Sequence, residues 1–258
     1  MSETLDPTRL APPHDSRLLV VGGCGGIGRE LVHVALAAGI RVAVADLPTS
    51  MEQHPPPSGV LRFPTDATKG EEARETCSRL HQAWGGMDSL VNLAGFSNEL
   101  KDVADLDEAE FDDIVAGSLK STFLFAKYSL PLLRLGKAAS IVHMASGLAM
   151  NVRAGFGPYG AAKAAVITLT KAIARENALA VRANVVAPGA VDTEFFAGGT
   201  GRSVKTIAMD RETYVKAIPL ARLARPVDVV GPILFLLGQG SAYMTGQVLY
   251  INGGALTP

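Results

Sequence analysis

Tyr159 and Lys163 stand four residues apart in Tyr159-Gly160-Ala161-Ala162-Lys163, and Ser146 lies thirteen residues before the tyrosine. On a helix, positions i and i+4 share a face, so the ammonium can sit beside the phenol. A free phenol titrates near about 10, too high for a base at neutral pH, and a neighbouring cation favours the phenolate and lowers that value. Tyr159 can then take the proton from an alcohol as it is oxidised, or return it to a ketone as it is reduced. Ser146 follows the apolar run Ser140-Ile141-Val142-His143-Met144-Ala145 and can hydrogen-bond the same oxygen.

Tyr-x-x-x-Lys also arises by chance on ordinary helices, so the pair gains meaning only from the elements that would position it. Arg17-Leu18-Leu19-Val20-Val21 reads as a buried strand that runs into Gly22-Gly23-Cys24-Gly25-Gly26-Ile27-Gly28, after which Glu30 to Ala38 has helical apolar spacing. Strand, glycine turn and helix in that order let a pyrophosphate approach the backbone and rest on the helix N-terminus. The next strand, Ile40-Arg41-Val42-Ala43-Val44-Ala45, ends at Asp46. A carboxylate there can accept from adenosine ribose hydroxyls and repels the 2′-phosphate of NADP, which favours NAD. Neither the glycine loop before Gly26 nor Leu47-Pro48 after Asp46 carries a cation for an extra phosphate. The competing reading of Asp46 is a strand-end turn carboxylate.

From about Arg17 to Gly254 these residues resemble the short-chain dehydrogenase/reductase family. Gly22, Gly26 and Gly28 match its Gly-x-x-x-Gly-x-Gly turn, Asn92-Leu93-Ala94-Gly95 is similar to its Asn-Asn-Ala-Gly strand end, and Ser146, Tyr159 and Lys163 match its catalytic residues in order and spacing. Asn184-Val185-Val186-Ala187-Pro188-Gly189, then Thr193, resembles its nicotinamide segment, and Met244-Thr245-Gly246-Gln247 with Asn252-Gly253-Gly254 its last strand. The resemblance implies a cofactor site of Gly22, Gly26, Ile27, Gly28, Asp46, Leu47, Asp66, Ala67, Asn92, Ala94, Gly95, Tyr159, Lys163, Pro188, Gly189, Val191 and Thr193. It also implies that Lys163 lowers the tyrosine pKa and binds the nicotinamide ribose.

Three positions depart from the family pattern. Val21 replaces the usual Thr before the glycine turn and Leu93 the second Asn, so a polar pair beneath the cofactor becomes apolar on both sides; loss of both members avoids leaving one unsatisfied. Ser118, in Ser118-Leu119-Lys120-Ser121-Thr122-Phe123, stands where the family has an Asn that helps hold a relay water for the lysine. Ser118 is expected to line that relay still, with one hydroxyl in place of an amide.

The 258 residues, 48% of them hydrophobic, suffice for one large α/β domain. Apolar runs at Leu18–Val21, Arg41–Ala45, Leu61–Phe63, Ser89–Leu93, Ser140–Met144, Arg182–Val186 and Gln247–Ile251 alternate with helical stretches, which predicts a Rossmann-like, doubly wound parallel sheet of about seven strands with helices on both faces. Residues 1–16 read as a mobile arm and 17–258 as the single domain. Pro55-Pro56-Pro57 forbids the usual helix across Pro48 to Gly59, leaving a short loop beside the adenine site. A net charge of −1 gives no electrostatic reason to expect nucleic acid or an anionic membrane. Short apolar runs, no leader pattern and only Cys24 and Cys77 point to a soluble, cytoplasmic chain without disulfides. Cys24 is either a small filler or a redox-sensitive thiol in the phosphate loop. Five scattered histidines support no metal site.

By the same resemblance a lid spans about 192–219. Its Phe195 and Phe196 either contact substrate or pack against a partner or the lid itself, and its Arg202, Lys205 and Arg211 either meet a carboxylate or CoA phosphate or form a solvated face. Leu148, Met150, Val152 and Phe156 follow Ser146 and are expected along the substrate wall, which suits a bulky apolar or aromatic alcohol or ketone. The small-residue helix Ala161-Ala162, Ala164-Ala165, Ile167 and Leu169 either faces the sheet or forms the homotetramer or homodimer contact that the resemblance implies. The reading is a NAD-dependent secondary-alcohol dehydrogenase acting on a small molecule. A 3-oxoacyl-thioester reductase and a NAD-binding protein with little or no turnover are the alternatives.

Overall fold

Continuous apolar runs, rather than alternating ones, are what a strand needs when it is covered on both faces. The computed structural model, which describes residues 10–97, 99–202 and 211–257, turns each such run into a strand of one sheet. These are β1 (Arg17–Val21), β2 (Arg41–Asp46), β3 (Leu61–Pro64), β4 (Ser89–Asn92), β5 (Ala139–Met144), β6 (Val181–Pro188) and β7 (Val248–Ile251). The order is β3-β2-β1-β4-β5-β6-β7, with every neighbouring pair parallel. All seven expected strands are present, with bounds shifted by at most two residues. The connections run as α1 (Gly26–Ala37), α2 (Pro48–Gln53), α3 (Gly70–Trp84), α4 (Glu108–Val115), α5 (Ser121–Leu133), α6 (Gly157–Asn177), α7 (Arg211–Lys216) and α8 (Pro226–Leu237).

Two cores follow from this layering. Leu31, Val32 and Ala35 of α1 and Val229, Ile233 and Leu236 of α8 bury against Leu18, Val20, Val42 and Val44 on one face. On the other, Cys77 and Leu80 of α3, Phe125 and Leu133 of α5, and Ile173 of α6 bury against Leu19, Val21, Leu90 and Ile141. The chain leaves β1 toward β2 and β3, then crosses back to β4 on the opposite side. The strand ends diverge at that reversal and open a crevice beyond their C-termini.

Three local features differ from expectation. A six-residue α2 fits before the proline run: Pro48 is its first residue, where no N–H is needed, and the helix stops at His54, whose extended φ of −136° suits a residue before proline. The adenine side is therefore flanked by a short helix as well as by a loop. The expected arm is not free over its described part, because Pro12 is buried, Ala11 packs on the α1/α8 core, and Ser16 accepts from Arg41 N–H at 2.8 Å. Residues 1–9 lie outside the described residues. Finally, α4 and α5 are joined by a five-residue π-helical stretch, Ala116–Lys120, with Ser118 at its centre. No helix among the described residues is long and apolar enough to cross a membrane.

One partly buried ion pair fixes the entry of the sheet. Asp88 accepts Arg17 Nε at 3.0 Å and Nη2 at 2.9 Å, and also the backbone N–H groups of Arg17 and Lys137, both at 2.8 Å. Burial raises the Asp88 pKa, but the Arg17 and backbone hydrogen bonds outweigh it and hold the carboxyl below its ordinary value. A depressed folded value means this stabilisation is complete above the unfolded pKa of about 4 and fades as pH falls through the folded value. Asp88→Asn is expected to cost about 2 kcal/mol at pH 7 and to flatten stability loss below pH of about 4, read from denaturant melts across pH. An unchanged acid limb would show that the pair does not hold the sheet entry.

Candidate active site

The crevice at the sheet reversal is lined by Gly22, Gly25, Gly26, Ile27, Gly28, Asp46, Leu47, Asp66, Ala67, Ala94, Gly95 and Thr193. Gly22 has φ of +79°, and a Cβ there would sit 3.0 Å from Ala94 N. A Cβ on Gly28 would overlap the Gly22 carbonyl, so the turn and α1 meet backbone to backbone. Gly25 caps α1 without a side-chain hydrogen bond, and no acid stands in the first turn of the helix, which suits an anionic group at its N-terminus. These features fit a dinucleotide.

Asp46 ends β2 with Oδ2 accepting Cys24 N–H at 2.7 Å and Oδ1 accepting Leu47 N–H at 2.8 Å. Burial raises its pKa, against those two backbone bonds. The carboxylate therefore braces the glycine turn, as the turn-carboxylate reading expects, and also lines the crevice. Cys24 is fully buried, and burial followed by the Asp46 charge pushes its thiol up to about 12. A thiolate is disfavoured there, which leaves the filler reading. Asp66 holds its loop by accepting Thr68 N–H at 2.9 Å and Thr68 Oγ1 at 2.7 Å. Asn92 does not reach the crevice: its Oδ1 accepts Ala94 N–H at 2.9 Å beneath the loop, and its Nδ2 is buried without a partner.

Ser146, Tyr159 and Lys163 come together where this crevice meets a second cavity, which Pro188, Gly189, Val191 and Thr193 also line. Ser146 follows β5, and α6 begins at Gly157, so its first turns carry Tyr159 and Lys163 inward. Lys163 is buried, donates to Met144 O at 3.0 Å, and holds its ammonium 5.5 Å from the Tyr159 ring centre. The expected lowering of the tyrosine pKa by lysine is not what the protein alone displays. Burial pushes the Tyr159 phenol up, opposed by a hydrogen bond from Ser146, and the same burial pushes Lys163 down to about 8. Ser118 is fully buried with Oγ lacking a partner. A Cβ on Gly95 would lie 2.8 Å from Lys163 Nζ and 3.0 Å from Ser118 Oγ, so both polar atoms converge on that glycine. The π-helical stretch is what aims Ser118 there.

Leu148, Phe156, Phe195 and Phe196 line the second cavity, and Phe195 stacks 5.5 Å from the Tyr159 ring. Val152 does not line it: the side chain is 56% exposed and covers Gly160, while Met150 is 58% exposed. Tyr214, Ile218, Leu256, Asn151 and Arg153 also line it; Tyr214 and Ile218 lie in the segment expected as a lid but were not singled out, and no motif or periodicity marked the other three. Val21 and Leu93 do not form the expected side-chain pair. They are joined by Leu93 N–H to Val21 O at 2.9 Å, but Val21 packs in the α3/α5 core and Leu93 against the α1/α8 core. Backbone bonding, not apolar compensation, links these segments.

The described part of the segment expected as a lid lines the crevice through Thr193, Glu194, Phe195, Gly199, Thr200 and Arg202. Gly201 O accepts Thr49 Oγ1 at 2.8 Å, Thr200 O accepts Ser50 Oγ at 3.1 Å, and Gly201 N–H donates to Gln53 Oε1 at 3.0 Å, all on α2. Arg202 pairs with Asp113 at 2.6 Å and Arg211 with Asp192 at 2.6 Å. Lys205 lies outside the described residues. No cluster of three metal-ligating side chains occurs among the described residues.

Lysine in the unfolded chain titrates at its ordinary 10.5, against about 8 in the fold. Between those values the unfolded chain binds more protons, so the penalty for burying the ammonium fades as pH rises. The melting temperature of the wild type is therefore expected to gain on that of Lys163→Met between pH 8 and 10. A difference that stays constant across that window would argue against a buried ammonium.

A family model described as enoyl-(acyl carrier protein) reductase matches residues 22–256. The 3-oxoacyl-(acyl-carrier-protein) reductase FabG of Thermotoga maritima is 30% identical over 243 residues, covering 92% of this chain and 96% of that protein. The 4-formylbenzenesulfonate dehydrogenase TsaC1/TsaC2 of Comamonas testosteroni is likewise 30% identical, with 92% and 96% covered. Among solved structures, the Brucella melitensis 3-ketoacyl-(acyl-carrier-protein) reductase complexed with NADH is 24% identical and superposes with a TM-score of 0.85 over 94% of this chain and 98% of that one. With its sheet order, its glycine turn and this match over most of its length, the chain belongs to that reductase family and so to the short-chain dehydrogenase/reductase oxidoreductases.

Proposed function

We propose that the protein is a NAD-dependent dehydrogenase that interconverts a secondary alcohol and a ketone on a bulky, largely apolar or aromatic small molecule. The observation that carries this reading is the seating of Ser146, Tyr159 and Lys163 at the junction of a dinucleotide crevice and an aromatic-walled cavity. A nicotinamide held by the glycine turn and by Thr193 would supply the hydride acceptor or donor for the alcohol or carbonyl carbon. In the oxidative direction Tyr159 takes the hydroxyl proton, and in the reductive direction it gives that proton back to the carbonyl oxygen. Ser146 orients the substrate oxygen. Lys163 supplies a positive charge beside the phenol, and Ser118 Oγ faces the same glycine, Gly95, as the ammonium, where a water between the two could carry its proton.

Asp46 supports NAD over NADP, because a 2′-phosphate would meet its carboxylate and the only cation lining the crevice among the described residues, Arg202, already pairs with Asp113. The Thermotoga relative favours a 3-oxoacyl-thioester reductase as the second reading, and the Comamonas relative an aromatic substrate. A homodimer or homotetramer is supported by Phe123 on α5, which is 46% exposed, and by the exposed Ala161 on the adjoining α6. A cytoplasmic site is in keeping with two buried, unpaired cysteines.

Turnover is measured as reduced-nicotinamide absorbance over a panel of aromatic, alicyclic, hydroxy-acid and hydroxyacyl substrates. It is expected with NAD, to fall about 10²–10⁴-fold in Tyr159→Phe, and to move toward NADP in Asp46→Ser. Binding of NAD without turnover on any substrate would leave the non-catalytic reading.

A further inference from the structure

Among the described residues the second cavity has two cations in its wall, Arg153 and Lys163, and no carboxylate. Lys163 is committed beside Tyr159. Arg153 sits on the loop between the 3-10 turn Gly147–Ala149 and α6, with its guanidinium 4.3 Å from the centre of the Tyr214 ring on α7. Its side chain has no ion pair among the described residues. The arginines around it behave differently: Arg29 pairs with Glu194, Arg202 with Asp113, Arg211 with Asp192 and Arg222 with Asp228. Each of these four guanidiniums is thus paired with a carboxylate, whereas Arg153, in the cavity wall, has none among the described residues.

A guanidinium is planar, permanently charged, and presents parallel N–H donors that match the two oxygens of a carboxylate. Stacking on Tyr214 fixes the plane of the fork without using its edge donors. The rest of the wall is apolar, from Leu148, Phe156, Phe195, Phe196 and Ile218. Such a cavity rewards an apolar body with one anionic end and, at the other, the oxygen that meets Ser146 and Tyr159.

We propose that Arg153 is a specificity-determining residue, and that the substrate is an apolar or aromatic alcohol or ketone carrying a carboxylate on its own body, remote from the reacting carbon. This rests on reading the second cavity as the substrate site. Because Tyr214 belongs to α7, an anion held by Arg153 also keeps that part of the lid over the cavity.

The test compares 4-acetylbenzoate with the neutral 4-acetylbenzamide by calorimetry on NADH-loaded protein, in wild type, Arg153→Gln and Arg153→Lys. The carboxylate is expected to bind about tenfold tighter than the amide in wild type. The ratio is expected to fall to about one in Arg153→Gln and to lie between in Arg153→Lys, with all three proteins melting within a few degrees of each other. A wild type without the preference, an Arg153→Gln protein that keeps it, or no binding of either compound overturns the proposal. A second arm compares acetoacetyl-CoA with its N-acetylcysteamine thioester: an Arg153-dependent preference seen only there would assign the anion to a CoA phosphate and overturn the proposal too. Turnover of the amide that survives in Tyr159→Phe would instead overturn the reading of the site, separately from the role of Arg153.

Discussion

Burying an ammonium costs free energy that only fixed partners can offset, and Lys163 imposes that constraint on everything around it. Among the described residues its acceptor is the carbonyl of Met144 at the end of β5, so the strand must end there and α6 must start close enough for the side chain to reach it. Gly95 must lack a Cβ, because one would press on the ammonium and on Ser118 Oγ together. α6 in turn is held to the sheet lower down, where His143 Nδ1 and Thr170 Oγ1 are 2.9 Å apart and burial pushes the imidazole down to about 3, keeping it neutral. The lysine is thus the point at which β5, the loop after β4, the π-helical stretch and α6 agree on one geometry.

The same low-polarity environment explains why the tyrosine is not activated by proximity alone. Burial disfavours every charged form, so it raises the phenol and lowers the ammonium at once, and the attraction between them competes with that cost. Only Ser146 among the described neighbours pulls the phenol back. The fold supplies position alone; under the proposed function, any further bias toward phenolate would come from charge brought into the site when it is filled.

Charge also divides the two clefts. The crevice at the sheet reversal carries Asp46, whose carboxylate is tied into the glycine turn, whereas the other cavity carries cations and, among the described residues, no acid in its wall. Between them runs the lid, fastened to α2 by three hydrogen bonds and to the body by paired arginines. Arg153 remains outside this pairing, which is why it stands out against an otherwise neutralised rim.

Much of this was legible in the sequence because local patterns carry their own geometry. Buried strands read as unbroken apolar runs, the glycine turn reads from its spacing, and Tyr159 and Lys163 share a face because a helix repeats every 3.6 residues. What the sequence did not determine lies where no period applies. Val152 and Arg153 are adjacent in an irregular loop, yet only Arg153 faces the cavity; Leu256 reaches it from a segment with no motif, and Tyr214 and Ile218 from the segment expected as a lid, where no pattern singled them out. Val21 and Leu93 read as one pair but pack on opposite sides of the sheet, and the proline run stops α2 without preventing it. The sequence by itself determined the strands, the turn and the grouping of Ser146, Tyr159 and Lys163; the tertiary structure decided the cavity wall and the protonation balance, because both depend on which distant segments exclude water from the same point.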